Sequence, residues 1–148
     1  MIGMPDKKVH LRIFTPMEKK VDMQVDMVVM RCITGDMGIM PEHEACSAIL
    51  DLGVLRIINQ GESERHMALL GGVAQVDRNE LTILANNAEW PEELDQARAL
   101  AARDEFQRRM ENSADDTEVA SNAVQMRRAL VRIEVSSYPL ISKTEEHE

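Results

Sequence analysis

Apolar and polar residues alternate with a period of two in the N-terminal part of the chain. Val9, Leu11 and Ile13 alternate with His10 and Arg12, so an extended segment here would have one apolar face. Short clusters of glycine, asparagine and aspartate separate further apolar runs. Many short strands at this spacing predict an all-β sandwich or barrel. The further strands are predicted at residues 25–33, 45–50, 54–58, 65–70, 73–77 and 80–85.

The period changes near residue 88, where helical signals begin. Pro91 suits the first turn of a helix, because its missing N–H would have no partner there. Glu92, Glu93 and Asp95 would lie at the positive end of that helix dipole. The alanine-rich sequence that follows favours helix as far as Asn112. A first helix is therefore predicted to begin at Pro91 and to end near Asn112.

A second helix is predicted to begin at Asp115, because Glu118 follows three residues later, as in a capping box. The short link between the two helices predicts an antiparallel hairpin. The apolar stripe of the second helix is narrow, so its packing energy would be small and we expect that the hairpin can detach. This stripe consists of Val119, Ala123, Met126, Leu130 and Ile133.

These patterns predict a β + α chain in three parts. Residues 1–88 form a β sandwich, residues 89–136 form an antiparallel two-helix hairpin, and residues 137–148 form a flexible acidic tail. No strand alternates with a long helix in the first part, which argues against a parallel α/β fold.

The composition is that of a soluble globular protein, with 44% hydrophobic and 29% charged residues. The net charge of −9 argues against binding to nucleic acid, because such binding needs clustered lysine and arginine. No apolar run approaches the ~20 residues that cross a bilayer, so we expect a cytoplasmic protein without direct membrane insertion. Cys32 and Cys46 fit free thiols in that compartment, and a disulfide between them stays open.

Motifs that carry catalysis are missing from the sequence. There is no GxxxxGK[ST] phosphate-binding loop, and Gly35 and Gly38 lead towards Pro41 instead of a helix. No nucleophile elbow occurs, and the four histidines form no metal-binding pattern such as HExxH. We therefore expect that the chain is not an enzyme and needs no metal or cofactor.

Four charged residues on the predicted helices form a more specific pattern. Asp95 and Arg98 lie three apart on the first helix, and Arg128 and Arg132 lie four apart on the second, so each pair shares a face. In an antiparallel hairpin the two pairs would converge. Guanidinium groups near a carboxylate suit a polyphosphate that carries an amino or hydroxyl donor. A salt-bridge network on a solvated helical face is the alternative interpretation.

Several short motifs resemble those of ATP synthase epsilon chains. The sequence GDMGIMPEH at residues 35–43 is similar to the GxxGxxPGH loop of that family, and LGGV at 70–73 is similar to its SGG turn. LTILA at 81–85 resembles the V-T-V-L-A strand, and LDQARA at 94–99 matches the (I/L)DxxRA motif. The order and spacing hold from about residue 8 to residue 134, which is most of the chain.

The resemblance implies a ten-stranded β sandwich that binds the gamma subunit and the membrane c-subunit ring, followed by a regulatory helical hairpin. It implies a non-catalytic rotor subunit of the central stalk, peripheral on the cytoplasmic face of the bacterial inner membrane, which couples proton or sodium flow to ATP synthesis. Extended helices would reach the catalytic alpha and beta subunits and inhibit ATP hydrolysis. Asp36, Gly38 and His43 would lie in a loop facing the stalk and ring, with Glu42 in place of the family's glycine.

Some bacterial members of that family bind ATP on the folded hairpin, which makes ATP an expected regulatory ligand. Their pattern corresponds here to Glu89 together with Asp95, Arg98, Arg128 and Arg132. A further arginine of the pattern is replaced by Glu105, which we expect to weaken ATP binding. The arginines expected to compensate for this change are Arg103, Arg108 and Arg109.

Three classes of function remain open from the sequence. The first is the rotor and regulatory subunit, which rests on the order of the motifs. The second is a free-standing ATP-sensing helical-hairpin module, which rests on the charged residues of the hairpin. The third is a β-domain adaptor with a helical arm, which needs no motif.

Overall fold

The computed structural model describes residues 7–139. The chain divides into two compact units, Met1–Ala88 and Glu89–Glu148, which we call the β unit and the helical unit. Most of the tail that was predicted to be flexible, residues 140–148, lies outside the described residues.

The described part of the β unit is built from β-strands in one hydrogen-bonded series. The strands are β1 (Val9–Phe14), β2 (Lys19–Val25), β3 (Met27–Cys32), β4 (Gly35–Ile39), β5 (His43–Ile58), β6 (Arg65–Arg78), β7 (Glu80–Ala85) and β8 (Ala88–Glu89). Their order is β2-β1-β7-β6-β5-β3-β4. The two-residue β8 is not part of this order and pairs with β6. β1 and β7 are parallel, and the other neighbours are antiparallel.

The prediction of ten strands is wrong, because the described residues form eight. The segments 45–50 and 54–58 belong to one long strand, β5, and the segments 65–70 and 73–77 belong to β6. These two strands pair along both halves, from Cys46 opposite Val76 to Ile57 opposite Arg65. The turn signals at 51–53 and 71–72 therefore mark places inside continuous strands.

Glycine is required at the middle of β6. Gly71 and Gly72 have φ angles of 82° and 137°, which side chains rarely tolerate. A Cβ atom on Gly72 would lie 2.2 Å from the carbonyl oxygen of Leu84 on β7. The two glycines thus let β6 change direction against β7 without interrupting the ladder.

The predicted strand at residues 25–33 is divided at Asp26, and β2 and β4 were not predicted. The Asp26 carboxylate accepts a hydrogen bond from the Gln60 N–H at 2.6 Å, and Lys8 Nζ donates to it at 2.5 Å. The hydrogen bond from Gln60, and then that from Lys8, holds the pKa of Asp26 below its usual value. The chain turns at this aspartate and continues as β3.

The core of the β unit consists of aliphatic side chains. Val9, Leu11 and Ile13 are fully buried, while the residues between them are partly exposed, which confirms the alternation predicted for β1. Leu81 and Ile83 on the parallel neighbour β7 are also fully buried. The β fold followed by two helices is therefore as predicted.

The first helix begins later than predicted. Pro91–Glu93 form a 3-10 turn, and α1 (Gln96–Asn112) starts after it. Asp95 is the N-cap of α1, and its Oδ1 accepts a hydrogen bond from the Arg98 N–H at 3.1 Å. An aspartate at the N-cap satisfies a free backbone donor of the first turn, and for that reason the helix starts after Asp95.

The second helix, α2 (Asp116–Ser136), has the predicted start but not the predicted buried face. Asp115 is its N-cap and accepts a hydrogen bond from the Thr117 N–H at 2.9 Å. The predicted stripe is only half-buried, and Leu130 is 42% exposed. The buried residues of α2 are Asn122, Ala129, Val131 and Val135. Within residues 7–139, neither helix is long and apolar enough to cross a membrane.

Candidate functional site

A cavity of about 300 Å³ lies in the helical unit between the start of α1 and the last turns of α2. Four of the five residues predicted to bind ATP line it, namely Glu89, Asp95, Arg98 and Arg132. Its floor is made of small side chains, because Ala99 and Ala129 are buried at 6% and 2% exposure. The remaining lining residues are Glu93, Leu94 and Ala102.

The most direct contact across the cavity is an ion pair between Glu89 and Arg132. Arg132 Nε donates to Glu89 Oε1 at 2.8 Å. The side chains are 33% and 21% exposed for Arg132 and Glu89, so water only partly screens the pair. This contact joins the segment before α1 to the end of α2.

Asp95 and Arg98 lie together at the start of α1, as predicted, but part of their hydrogen-bonding capacity is already used. One carboxylate oxygen of Asp95 caps the helix through the Arg98 N–H. Both residues also line the cavity. Asp95 therefore combines a structural role with a place in the candidate site.

Arg128 does not line the cavity. Its Nε atom is buried without a hydrogen-bond partner in the described part of the chain. An arginine one turn before Arg132 shares its face of the helix, but the cavity ends at Ala129 and Arg132. Of the four residues predicted to converge, Asp95, Arg98 and Arg132 line the cavity and Arg128 does not.

The three arginines expected to compensate for Glu105 lie elsewhere. Arg109 Nε donates to Glu105 at 3.0 Å, and Arg108 also pairs with Glu105. Arg103 pairs with Asp104 at 3.1 Å. None of these arginines lines the cavity, and each pairs with a carboxylate of α1.

The charges of the cavity favour anions less than the sequence suggested. Sequence reasoning missed Glu93, which adds a third carboxylate to Glu89 and Asp95, whereas Arg98 and Arg132 are the two guanidinium groups of the lining. The position of Glu93, directly before the LDQARA motif, was the available signal. A polyphosphate entering here meets more carboxylates than guanidiniums, and this should weaken its binding.

The residues predicted to face the stalk and ring lie on strands and not in a loop. Asp36 and Gly38 belong to β4, the last strand of the series, and only 40–42 separate β4 from β5, which begins at His43. Asp36 Oδ1 accepts a hydrogen bond from Arg31 Nε on β3 at 2.6 Å. His43 Nδ1 lies 2.7 Å from the carbonyl oxygen of Glu44. The strand pairing of β3 with β4 accounts for the difference, because it extends to Ile39.

Glu42 occupies the left-handed conformation that glycine normally takes. Its φ angle is 65°, and its N–H donates to Asn79 Oδ1 at 2.8 Å. Lys7 forms an ion pair with its carboxylate at 2.5 Å, and this hydrogen bond holds the pKa of Glu42 below its usual value. The turn before His43 thus keeps the glycine conformation although the glycine is replaced. In the part of the chain that the structure describes, no group of acidic, histidine or cysteine side chains is arranged to hold a metal ion.

Residues 8–91 match the family described as "ATP synthase, Delta/Epsilon chain, beta-sandwich domain". The ATP synthase epsilon chain of Bacillus velezensis is 35% identical over 130 residues, covering 88% of this chain and 98% of the relative. The epsilon chain of Bacillus subtilis is 37% identical with the same coverage of both chains. The chain belongs to the ATP synthase epsilon chain family. The sandwich predicted for the β unit is that of this family, and the resemblance drawn from the motifs is confirmed.

A solved structure with a similar fold comes from the mitochondrial ATP synthase of Euglena gracilis. A chain of its OSCP/F1/c-ring assembly superposes with a TM-score of 0.78 at 20% identity, covering 93% of this chain and 86% of that one. At this identity the likeness concerns the fold alone. The epsilon-family relatives, by contrast, match along both the β unit and the helical unit.

Proposed function

We propose that the chain is a non-catalytic central-stalk subunit of a rotary ATP synthase, coupling proton or sodium flow to ATP synthesis. It works peripherally, on the cytoplasmic face of the bacterial inner membrane. The observation that carries the proposal is the match to epsilon chains along 98% of their length, which includes both units. A subunit that shared only the sandwich would match in the β unit alone.

The β unit binds the gamma subunit and the c-subunit ring in this proposal. Asp36 and Gly38 on β4, the last strand of the described series, and His43 at the start of β5 face the stalk and ring. A second surface supports a protein partner, because Ile49, Val73 and Leu84 stand directly opposite one another on β5, β6 and β7. They are 58%, 48% and 55% exposed, and contiguous exposed apolar side chains of this kind mark interaction sites.

The helical unit is a reversible brake on ATP hydrolysis. α1 and α2 form an antiparallel hairpin that packs through alanine and other small side chains, so separating the two helices costs little free energy. In the extended form the helices contact the catalytic alpha and beta subunits and inhibit hydrolysis. In the folded form they leave the enzyme free.

ATP is a regulatory ligand of the folded form, and it shifts the population towards that form by its differential affinity. Arg98 and Arg132, which line the cavity together with Asp95, support this role. Binding is weak because a third carboxylate, Glu93, and the placement of Arg128 outside the cavity lower its attraction for phosphate. No cofactor is required for the stalk function.

Hydrolysis of ATP by the cognate catalytic core with gamma tests the proposal. The core is compared alone, with the full chain, and with a chain truncated after Ala88, at the boundary of the two units. We expect the full chain to bind and slow turnover, and the truncated chain to bind without slowing it. Removal of residues 137–148 alone is the matched control and should leave inhibition in place.

Each other result has a defined meaning. If both long and truncated chains bind and neither inhibits, the chain is a coupling subunit without a brake. If neither binds the core, the stalk role fails, and the free-standing ATP-sensing module becomes the function to test.

A further inference from the structure

We propose that Glu89 is an internal competitor for the candidate ATP site: its carboxylate occupies Arg132 and holds the hairpin closed without a ligand. This inference concerns regulation of the cavity and rests on the proposed function for the identity of ATP. The ion pair itself is independent of that identity, because it joins two residues of this chain at 2.8 Å.

The geometry makes Glu89 a substitute for a bound anion. A guanidinium accepts a carboxylate or a phosphate oxygen with the same hydrogen-bond geometry. Arg132 Nε is engaged by Glu89 Oε1, so a phosphate that is to bind Arg132 through this atom must first displace the carboxylate. Both partners line the cavity, so the contact lies where the segment before α1 meets the last turns of α2.

Displacement does not remove the Glu89 charge from the site. Glu89 is 21% exposed at its side chain, and it would remain beside the phosphates as a like charge. Glu93 and Asp95 also line the cavity, so a displaced Glu89 would be the third carboxylate facing the ligand. Glu89 therefore opposes an anion twice, once by holding Arg132 and once by repulsion.

A competing Glu89 and a Glu89 that recognises the nucleotide directly predict opposite effects of its removal on ATP binding. If Glu89 accepted a hydrogen bond from the amino group of the base, its removal would weaken binding of ATP. If Glu89 competes with phosphate, its removal strengthens binding of ATP and also of inorganic tripolyphosphate, which has no base. The two probes and one substitution therefore separate the two roles.

The test is calorimetric titration of the full chain with ATP and with tripolyphosphate, at fixed ionic strength. The variants are Glu89→Gln and, as a matched control, Glu92→Gln, which makes the same change of charge in the neighbouring 3-10 turn but does not line the cavity. For both probes we expect Glu89→Gln to lower Kd by about threefold to fivefold, which is the upper part of the range for a partly screened ion pair. Glu92→Gln should change Kd by less than about twofold.

A second readout follows the ion pair without any ligand. Trp90 is the only tryptophan of the chain and is adjacent to Glu89, so its fluorescence reports on this segment. Raising salt to about 0.5 M should shift Trp90 emission in the wild type and in Glu92→Gln, because salt screens the pair. The emission of Glu89→Gln should not respond.

Three results would overturn the inference. The first is weaker ATP binding by Glu89→Gln with unchanged tripolyphosphate binding, which would make Glu89 a nucleotide contact. The second is equal affinity in all variants, and the third is the absence of binding by every variant. None of these affects the truncation assay with the catalytic core, so failure here and failure of the proposed stalk function are distinguishable.

Discussion

The β unit and the helical unit are stabilised by different kinds of burial. The largest fully buried side chains, among them Leu11, Met30 and Leu81, all belong to the β unit. In the described part of the helical unit, the buried apolar residues are Pro91, Ala99, Ala129, Val131 and Val135. One unit has a core of large aliphatic side chains, and the other is closed by alanine and valine.

The difference matters because burial is the main source of stability. A fully buried leucine or isoleucine contributes about 1.5–3 kcal/mol, whereas a single buried methyl group contributes about 0.8 kcal/mol. The helical unit depends more on its caps, such as Asp95 and Asp115, and on surface ion pairs, which are individually weak. We expect such a unit to open at a lower free energy than its neighbour, as the proposed brake requires.

The largest expected effect tests the rigidity of the β unit at Gly72. Gly72→Ala should lower the free energy of unfolding by about 4 kcal/mol, because it combines a strained positive φ with an overlap against the Leu84 carbonyl. Chemical denaturation combined with hydrogen exchange of β6 and β7 measures the loss. Gly61→Ala is the control, since its φ is 81° but nothing lies within 4 Å of the added Cβ. This control should cost about 1 kcal/mol, for the backbone strain alone.

Equal losses in Gly72→Ala and Gly61→Ala would contradict the close approach of β6 and β7. They would also weaken the contrast between the units, because the β unit would then tolerate extra volume at its centre.

The core of the β unit could be predicted from the sequence more fully than its strand count. The alternation of apolar and polar residues in β1 can be read from the local sequence alone. The structure confirms it, because Val9, Leu11 and Ile13 are buried. The predicted break between residues 65–70 and 73–77 was wrong, because Gly71 and Gly72 give the same local signal whether a strand ends there or bends there. The choice is made by the pairing of β6 with β5 and β7, which brings together residues far apart in the chain.

In the candidate site, too, local placements could be predicted from the sequence and long-range contacts could not. Helical spacing brought Asp95 and Arg98 to one end of α1, as the sequence predicted. The Glu89–Arg132 pair joins residues 43 positions apart, and neither spacing nor propensity identifies which carboxylate an arginine will choose. Arg108 and Arg109 were likewise expected near the cavity, but Glu105 on their own helix engages them at i,i+3 and i,i+4.

A pair of leucines gives the next largest effect and compares the two units directly. Leu81→Ala in the β unit should cost about 3 kcal/mol, because the side chain is fully buried and its removal leaves a cavity. Leu130→Ala in the helical unit should cost less than about 0.5 kcal/mol, because that side chain is 42% exposed and alanine favours helix. Urea unfolding of both variants measures the difference. A similar cost at the two positions would mean that the helical unit buries Leu130 in solution, and the contrast in burial would then be wrong.

The smallest expected effect concerns acid and is confined to the β unit. Lys19 Nζ donates to Asp22 Oδ2 at 2.9 Å, and His10 Nε2 lies 2.6 Å from Oδ1. These hydrogen bonds, that of Lys19 first, lower the pKa of Asp22 from 3.8 to about 2. Because the folded pKa lies below the unfolded value, the carboxylate stabilises the fold above about pH 4, and this contribution disappears as the pH falls through about 2.

Asp22→Asn should therefore lower the urea midpoint at about pH 7 and approach the wild type below about pH 2. Glu92→Gln, in the other unit, is the control. It should leave the amide hydrogen exchange of β1 and β2 the same as in the wild type at every pH. If Asp22→Asn instead kept a constant difference from the wild type down to the lowest pH, the ion pairs of Asp22 would not be the source of its stabilisation, and the residue would act through packing alone.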